Sequence, residues 1–286
     1  MKNVLITGSK GQLGNEIQLV SVETVDFKYF FTDVDELDIT DITALESFVA
    51  QNKIDFIVNC AAYTAVDKAE DDKELCYKIN AIAVKNIADV AVKHGIKVIH
   101  VSTDYVFDGK NFKPYSEDDE VCPASVYGQS KLEGEQLLIN TLHDAVIIRT
   151  SWLYSTFGNN FVKTMIKLGT ERDALNVIFD QVGTPTNAAD LAVAIIQVLK
   201  SENLVPGIYH FSNEGVCSWY DFAIKIHQLA GIRCDVMPIE SKDYPAKTPR
   251  PHYSVLNKSK IKKTYGIKIP HWEESLKKCV DILINK

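Results

Sequence analysis

The feature that most constrains this chain is a rhythm. Through its first half, short continuously apolar runs alternate with amphipathic helical stretches. "NVLIT", "KYFFTD", "IDFIVNCA", "KVIHVST" and "AVIIRTSW" read as strands. Between them lie "NEIQLVS", then "TDITALESFVAQN" with Thr40 or Asp41 as its N-cap, then a long helix from about Asp72 to a C-cap at Gly95, then "SVYGQSKLEGEQLLIN". Strands with no polar alternation are buried on both faces, and helical crossovers make their sheet parallel. Right-handed crossovers then leave an α/β fold with a doubly wound parallel sheet of Rossmann type.

After Trp152 the rhythm changes. "NNFVKTMIKLG", "NAADLAVAIIQVLK" and "SWYDFAIKIHQLAG" read as helices, "GIYHFS" and "CDVMPI" as short strands, and "YPAKTPRPHYS" concentrates prolines and basic residues. The expected organisation is a dinucleotide-binding domain over 1–150, with later elements partly added back, and a smaller C-terminal α/β substrate lobe over 151–286.

The formal charge of -7 argues against nucleic acid as the main partner, because phosphate backbones need a basic face. No apolar run approaches the ~18 residues that span a bilayer, and the first residues go directly into a strand, so no membrane partner and a cytoplasmic enzyme are expected. The six cysteines make no C-x-x-C and no zinc spacing with the seven histidines. Buried reduced thiols and no bound metal are expected.

"TGSKGQLGNE" places Gly8, Gly11 and Gly14 directly after the first strand. The spacing is G-x-x-G-x-x-G rather than the commoner G-x-G-x-x-G, but the physics is shared. Gly8 permits a tight turn, Gly11 lets backbone approach a pyrophosphate, and Gly14 lets the helix pack closely. The helix N-terminus offers free N–H groups and a partial positive charge. Asp33, ending the second strand, favours a free ribose 2′-hydroxyl and hence NADH. Lys10, inside the loop, leaves NADPH open. Asp38 and Ile39 follow and border either an adenine or only a solvated turn. Ala61 and Ala62, at the end of the third strand, are small enough for a cofactor to approach.

"VYGQSKLEG" sets Tyr127 and Lys131 at i and i+4, so both leave one helix face. A neighbouring ammonium lowers a phenol, which then exchanges a proton with a substrate oxygen. Gly128 is expected to keep the face beside Tyr127 open. Ser102, Thr103 and Asp104 end the fourth strand, where ligands of doubly wound sheets bind, so Thr103 can share the same oxygen.

Together "TGSKGQLG", "LDIT", "NCAAYTAVDKAE", "VSTDYVFDG", "VYGQSKLEGE", "RTSWLY", "NNFVKTM", "DQVGTPT" and "RPHYS" resemble the extended short-chain dehydrogenase/reductase family across nearly the whole chain. The resemblance implies an NAD(P)H-dependent oxidoreductase reducing the 4-keto group of dTDP-4-dehydro-L-rhamnose, for cell-surface carbohydrate. It implies Tyr127 as proton donor, Lys131 as its partner and ribose ligand, and Thr103 as the assisting hydroxyl. It sets Gly11, Gln12 and Leu13 over the pyrophosphate, Asp38 and Ile39 beside the adenine, and Ala62, Tyr63 and Thr64 along the cofactor. Thr103, Asp104 and Trp152 would touch the sugar nucleotide. Some members are dimers joined by magnesium on glutamates. Glu16 matches one such position, but the second falls on Ala188, Ala189 and Asp190, so a monomer or weak homodimer without metal is expected.

Other readings stay open on the residues. Trp152 is either a sugar contact or a core tryptophan. Arg250 either clamps a diphosphate or sits on a solvated loop. Asn160 either meets the substrate or only caps a helix, and Gln181 is either a ligand contact or part of a cleft-shaping loop. Another nucleotide-sugar ketoreductase, an epimerase, or a non-catalytic nucleotide-binding subunit would share the same loop.

Overall fold

The computed structural model describes residues 1–285. Six strands form the central sheet: β1 (Lys2–Thr7), β2 (Phe27–Thr32), β3 (Phe56–Asn59), β4 (Lys97–Thr103), β5 (Val146–Thr150) and β6 (Gly207–His210). Their spatial order is β2-β1-β3-β4-β5-β6, and every pairing is parallel. The order reverses at β1, so a crevice opens between the carboxyl ends of β1 and β3.

The continuously apolar strands split their side chains between two helix layers, as a period of two requires. Val4, Ile6, Val58, Ile99, Val146 and Ile148 pack under α1 (Gln12–Ser21) and a second-half helix, Ala188–Leu199. Leu5, Ile57, Val98 and Ile147 face α2 (Ile42–Asn52), α3 (Ala83–His94) and α4 (Val126–Thr141). Asp41 caps α2, accepting from the N–H groups of Thr43 and Ala44, and Gly95 closes α3 at φ 68°.

β6 and the helix Ala188–Leu199 come from the second half of the chain yet belong to the main sheet and its covering layer. The helix Ser259–Tyr265 also gives Ile261 to the main core, while the remaining late helices and the strands beside them enclose a separate core. Val162, Leu175, Val177, Phe222, Ile226 and Leu276 meet there, from α5 (Phe161–Glu171), the strand Ala174–Ile178 and the helices Trp219–Ala230 and Trp272–Ile284. That strand, which the sequence reading passed over, pairs in parallel with Asp235–Ile239.

The long helix expected before Gly95 is broken. Lys73–Tyr77 and α3 flank a wide π-turn over Lys78–Ile82. Such insertions concentrate at functional sites. Here the turn presents Asn80, which accepts from the Tyr63 N–H at 2.8 Å and donates to Tyr63 O and Ser130 Oγ, each at 3.0 Å. The loop after β3 is thereby tied to α4.

Candidate active site

At Gly8 two constraints coincide. Its φ is 66°, and a Cβ would lie 2.6 Å from the Ala61 nitrogen. A Cβ on Gly14 would fall 2.4 Å from Gly8 O, so α1 starts pressed against the loop. Gly11 is the extended N-cap of α1 and no side chain caps it. The first-turn N–H groups are therefore free to meet an anion.

Beside this loop lies a cavity of about 500 Å³. Gly8, Gly11, Asp33, Asp38, Ile39, Ala61 and Ala62 line it as expected, joined by Lys10, Leu37, Cys60 and Ile79. Asp33 accepts from the N–H groups of Lys10 and Val34, both at 2.9 Å, so its carboxylate also shapes the loop. Lys10 Nζ pairs with Asp35 at 2.9 Å and Glu36 at 2.8 Å. Four expected cofactor contacts do not place their side chains here. Leu13 is in the core. The Gln12 amide accepts from Asn160 at 2.9 Å. Tyr63 is held by Asn80, and Thr64 is exposed.

Tyr127 and Lys131 stand in the first two turns of α4. Ser125 caps that helix, accepting from the Gly128 N–H at 3.1 Å. Both side chains are buried, Tyr127 at 8% exposure and Lys131 at 1%. The expected lowering of the phenol by the ammonium does not occur. Burial pushes Tyr127 well above the usual phenol range, with Asp104 and Tyr105 adding to the rise and only the Thr103 hydroxyl pulling it down. The reason is geometric: Lys131 Nζ donates to Val101 O at 2.8 Å and lies 3.3 Å from His100 Nε2, turned into the sheet. Burial also brings Lys131 itself down to about 8, against the pull of Glu135.

Gly128 does not hold space open. A Cβ there would sit 2.3 Å from Tyr105 O and 3.0 Å from Pro123 Cβ, so the chain after β4 fills that space. The Tyr105 ring meets Tyr127 edge-on, with centroids 5.4 Å apart. Thr103 donates to Asp104 Oδ1 at 3.0 Å. Asp104 is buried, and desolvation raises its carboxyl to about 7 despite that bond.

Asp104 and Tyr105 form one end of a second cavity, of about 750 Å³. Trp152, Arg250 and Gln181 line it too, together with Phe161, Trp219, Tyr244 and the strand Ala174–Ile178. Tyr127 feels the charge of Asp104, which lines the second cavity, and Lys131 that of Cys60, which lines the first. Trp152 adopts φ 48°, a left-handed conformation rare for a bulky residue. It stacks on Trp219 at 3.6 Å with 9° between the planes. Gly183 of "DQVGTPT" makes room, since a Cβ there would meet the Trp152 ring at 2.6 Å. Arg250 donates to Asp67 at 2.6 Å. Asn160 caps α5 by accepting from the Lys163 N–H at 3.1 Å and is not among the residues that line this cavity.

Sequence reasoning missed Trp219, Tyr105, Phe161 and Asn80. Trp219 directly follows the cap Ser218 in "CSWYDF", and its ring contacts with Trp152 and Phe161, distant in sequence, are what mark it. A buried pair supports α4 from below: Arg149 on β5 donates to Glu135 at 2.7 Å and 2.9 Å. Glu16 is buried, accepting from Ser155 at 2.5 Å, and Asp190 accepts from Asn213 and Ser275. Among the described residues no group of three His, Cys, Asp or Glu side chains could hold a metal, and no helix is long and apolar enough to cross a membrane.

Comparison with known proteins places the chain in a family. The family described as RmlD substrate binding domain matches residues 1–285. The dTDP-4-dehydrorhamnose reductase of Aggregatibacter actinomycetemcomitans is 41% identical, over 97% of this chain and 98% of that protein. The crystal structure of a dTDP-4-dehydrorhamnose reductase from Clostridium acetobutylicum superposes with a TM-score of 0.94 at 46% identity, covering 98% of this chain and 99% of that one. That of the Bacillus anthracis enzyme in complex with NADP also gives 0.94, at 40% identity, covering 99% and 100%. By sequence and by fold, this chain belongs to the RmlD family.

Proposed function

We propose that the chain reduces the 4-keto group of dTDP-4-dehydro-L-rhamnose to give dTDP-L-rhamnose, with NAD(P)H as reductant. The observation that carries this is the buried Tyr127–Lys131 pair with Thr103, electrostatically linked to Cys60 of a dinucleotide-sized cavity and to Asp104 of a wider aromatic one. Relatives named for that reaction, aligned over nearly the full chain, support the substrate. A dinucleotide fits the first cavity: Gly11 leaves the α1 N-terminus free, and Ala61 and Ala62 present little bulk. Bound there, a dihydronicotinamide supplies a hydride.

The remaining work falls to the chain's own groups. As the substrate C4 is reduced, its oxygen gains negative charge and takes a proton from the Tyr127 hydroxyl, which burial keeps protonated at neutral pH. Thr103 turns its single O–H from Asp104 to that oxygen as a second donor, a stabilisation aimed where charge develops. The ammonium form of Lys131 then restores the phenol's proton, turning from Val101 O toward Tyr127 for that step. Trp152, stacked on Trp219, forms an apolar wall for the sugar, Asp104 meets a sugar hydroxyl, and Arg250 exchanges Asp67 for the diphosphate. Asp33, Asp35 and Glu36 favour a free 2′-hydroxyl, while Lys10 beside them can meet a 2′-phosphate, so NADH is preferred and NADPH accepted. In this reading the cofactor half is residues 1–150 and the substrate side mainly 151–286, in a cytoplasmic monomer or weak homodimer.

The test is cofactor oxidation by the purified protein with dTDP-4-dehydro-L-rhamnose, run with NADH and again with NADPH. Stoichiometric oxidation with product release supports the reading. Tight cofactor binding with no oxidation would replace it with a non-catalytic nucleotide-binding role.

A further inference from the structure

His100 is fully buried in the middle of β4, and nothing in the reaction above uses it. Its surroundings determine where its proton sits. Asn59 Oδ1 accepts from Thr7 Oγ1 at 2.6 Å and from the Ala61 N–H at 3.2 Å. A backbone N–H only donates, so the oxygen of that amide must face Ala61. The Asn59 NH₂ therefore faces His100 Nδ1, at 3.0 Å, and Nδ1 must accept. A neutral imidazole accepting at Nδ1 carries its hydrogen on Nε2. That Nε2–H is aimed at Lys131 Nζ, 3.3 Å away.

An ammonium has three donors and no lone pair, so it opposes the Nε2–H. A neutral amine accepts it, and still donates to Val101 O and toward the Tyr127 side. We infer that His100 is a positioning residue for Lys131: locked by Asn59 as the Nε2–H tautomer, it favours the neutral amine and so sets the pH range in which the Tyr127–Lys131 pair turns over.

The inference rests on the reductase reading for its kinetic part. The other groups facing Lys131 do not supply this effect. Glu135, on its own helix, favours the ammonium but is engaged by Arg149 of β5. Cys60 from β3 is pushed up to about 12 by burial, and Cys76 from Lys73–Tyr77 is also raised, so both are neutral thiols. Tyr127 is a neutral phenol. A buried imidazole near an amine is itself held neutral, by burial first and by Lys131 second.

The test combines two measurements. In the wild-type protein, nitrogen-15 correlation spectra of labelled histidine should show His100 as the Nε2–H tautomer; an Nδ1–H tautomer would overturn the inference. Kinetically, kcat for reduction should fall as pH rises through the lysine's ionisation. His100→Gln can present an acceptor oxygen to the ammonium, and Asn59→Asp should turn the imidazole over so that Nε2 accepts. Both should move that fall upward by about one pH unit, a tenfold change in the ionisation equilibrium. Asn59→Asp should also show the Nδ1–H tautomer. Profiles that superpose on wild type, with only a uniform loss of kcat, would mean that His100 merely packs. Should the wild-type protein itself fail to turn over, the reductase reading falls, while the tautomer still decides the His100 geometry.

Discussion

Gly128→Ala should separate the placement of Tyr127 from the stability of the fold. The added Cβ would lie 2.3 Å from Tyr105 O, whereas ordinary contact begins at 3.4 Å. Backbone must therefore move by about 1.1 Å, and Pro123, at 3.0 Å from the same point, blocks the simplest escape. The movement falls on the first turn of α4 or on the chain carrying Tyr105, and both determine where the Tyr127 hydroxyl points. A displacement of ~1 Å at a reacting group costs on the order of 10²-fold in rate. The first cavity is not lined by these residues, so NADH affinity should stay within about twofold. The assay is kcat beside a cofactor titration and a thermal melt. As a control, Gly231→Ala at φ 65° meets no neighbour within 4 Å, and should lower stability by ~1–2 kcal/mol without touching kcat. A Gly128→Ala enzyme with kcat within threefold of wild type would refute the argument.

Three further expectations follow from the same geometry. Tyr127→Phe should reduce turnover by ~10²–10⁴-fold while leaving NADH binding intact, read by rate and by cofactor titration; near-wild-type rates would remove Tyr127 as donor. Arg149→Met leaves Glu135 buried without its partner and should cost ~3–5 kcal/mol in a denaturant melt, most of it recovered in Arg149→Met/Glu135→Leu; a loss below 1 kcal/mol would contradict the pair's role under α4. Asp104, raised to about 7, keeps its proton in the folded state at pH values where the unfolded chain has lost it. Folding stability should therefore fall as pH rises from about 4 toward 7, by up to ~1.4 kcal/mol per unit, and Asp104→Asn should flatten that slope.

How much of this was legible beforehand depended on whether the signal was local. The parallel strands and the glycine loop were, because burial on both faces and a backbone turn leave marks in adjacent residues. The Tyr127–Lys131 spacing was too, since i and i+4 fix a common face on any helix. The ionisation was not. Reading two residues suggests an ammonium beside a phenol; the fold turns Lys131 into β4, where Val101 and His100 take it, and that is a fact about strand and helix packing 30 residues apart in sequence. Asn80 was hidden because its partner, Tyr63, lies across a π-turn that resembles ordinary helix in sequence. The cap at Asn160 was legible, because a cap is written into the residues that follow it. Trp152 and Trp219 come together only because Gly183 leaves room, a three-way contact between distant segments.

The most direct test of the central claim follows the hydride. The protein, given dTDP-4-dehydro-L-rhamnose and a dihydronicotinamide cofactor deuterated at the transferring position, should release dTDP-L-rhamnose with deuterium at C4, in step with cofactor oxidation, as read by mass spectrometry and NMR. Product without deuterium, an epimerised keto sugar, or unchanged substrate beside bound cofactor would contradict it.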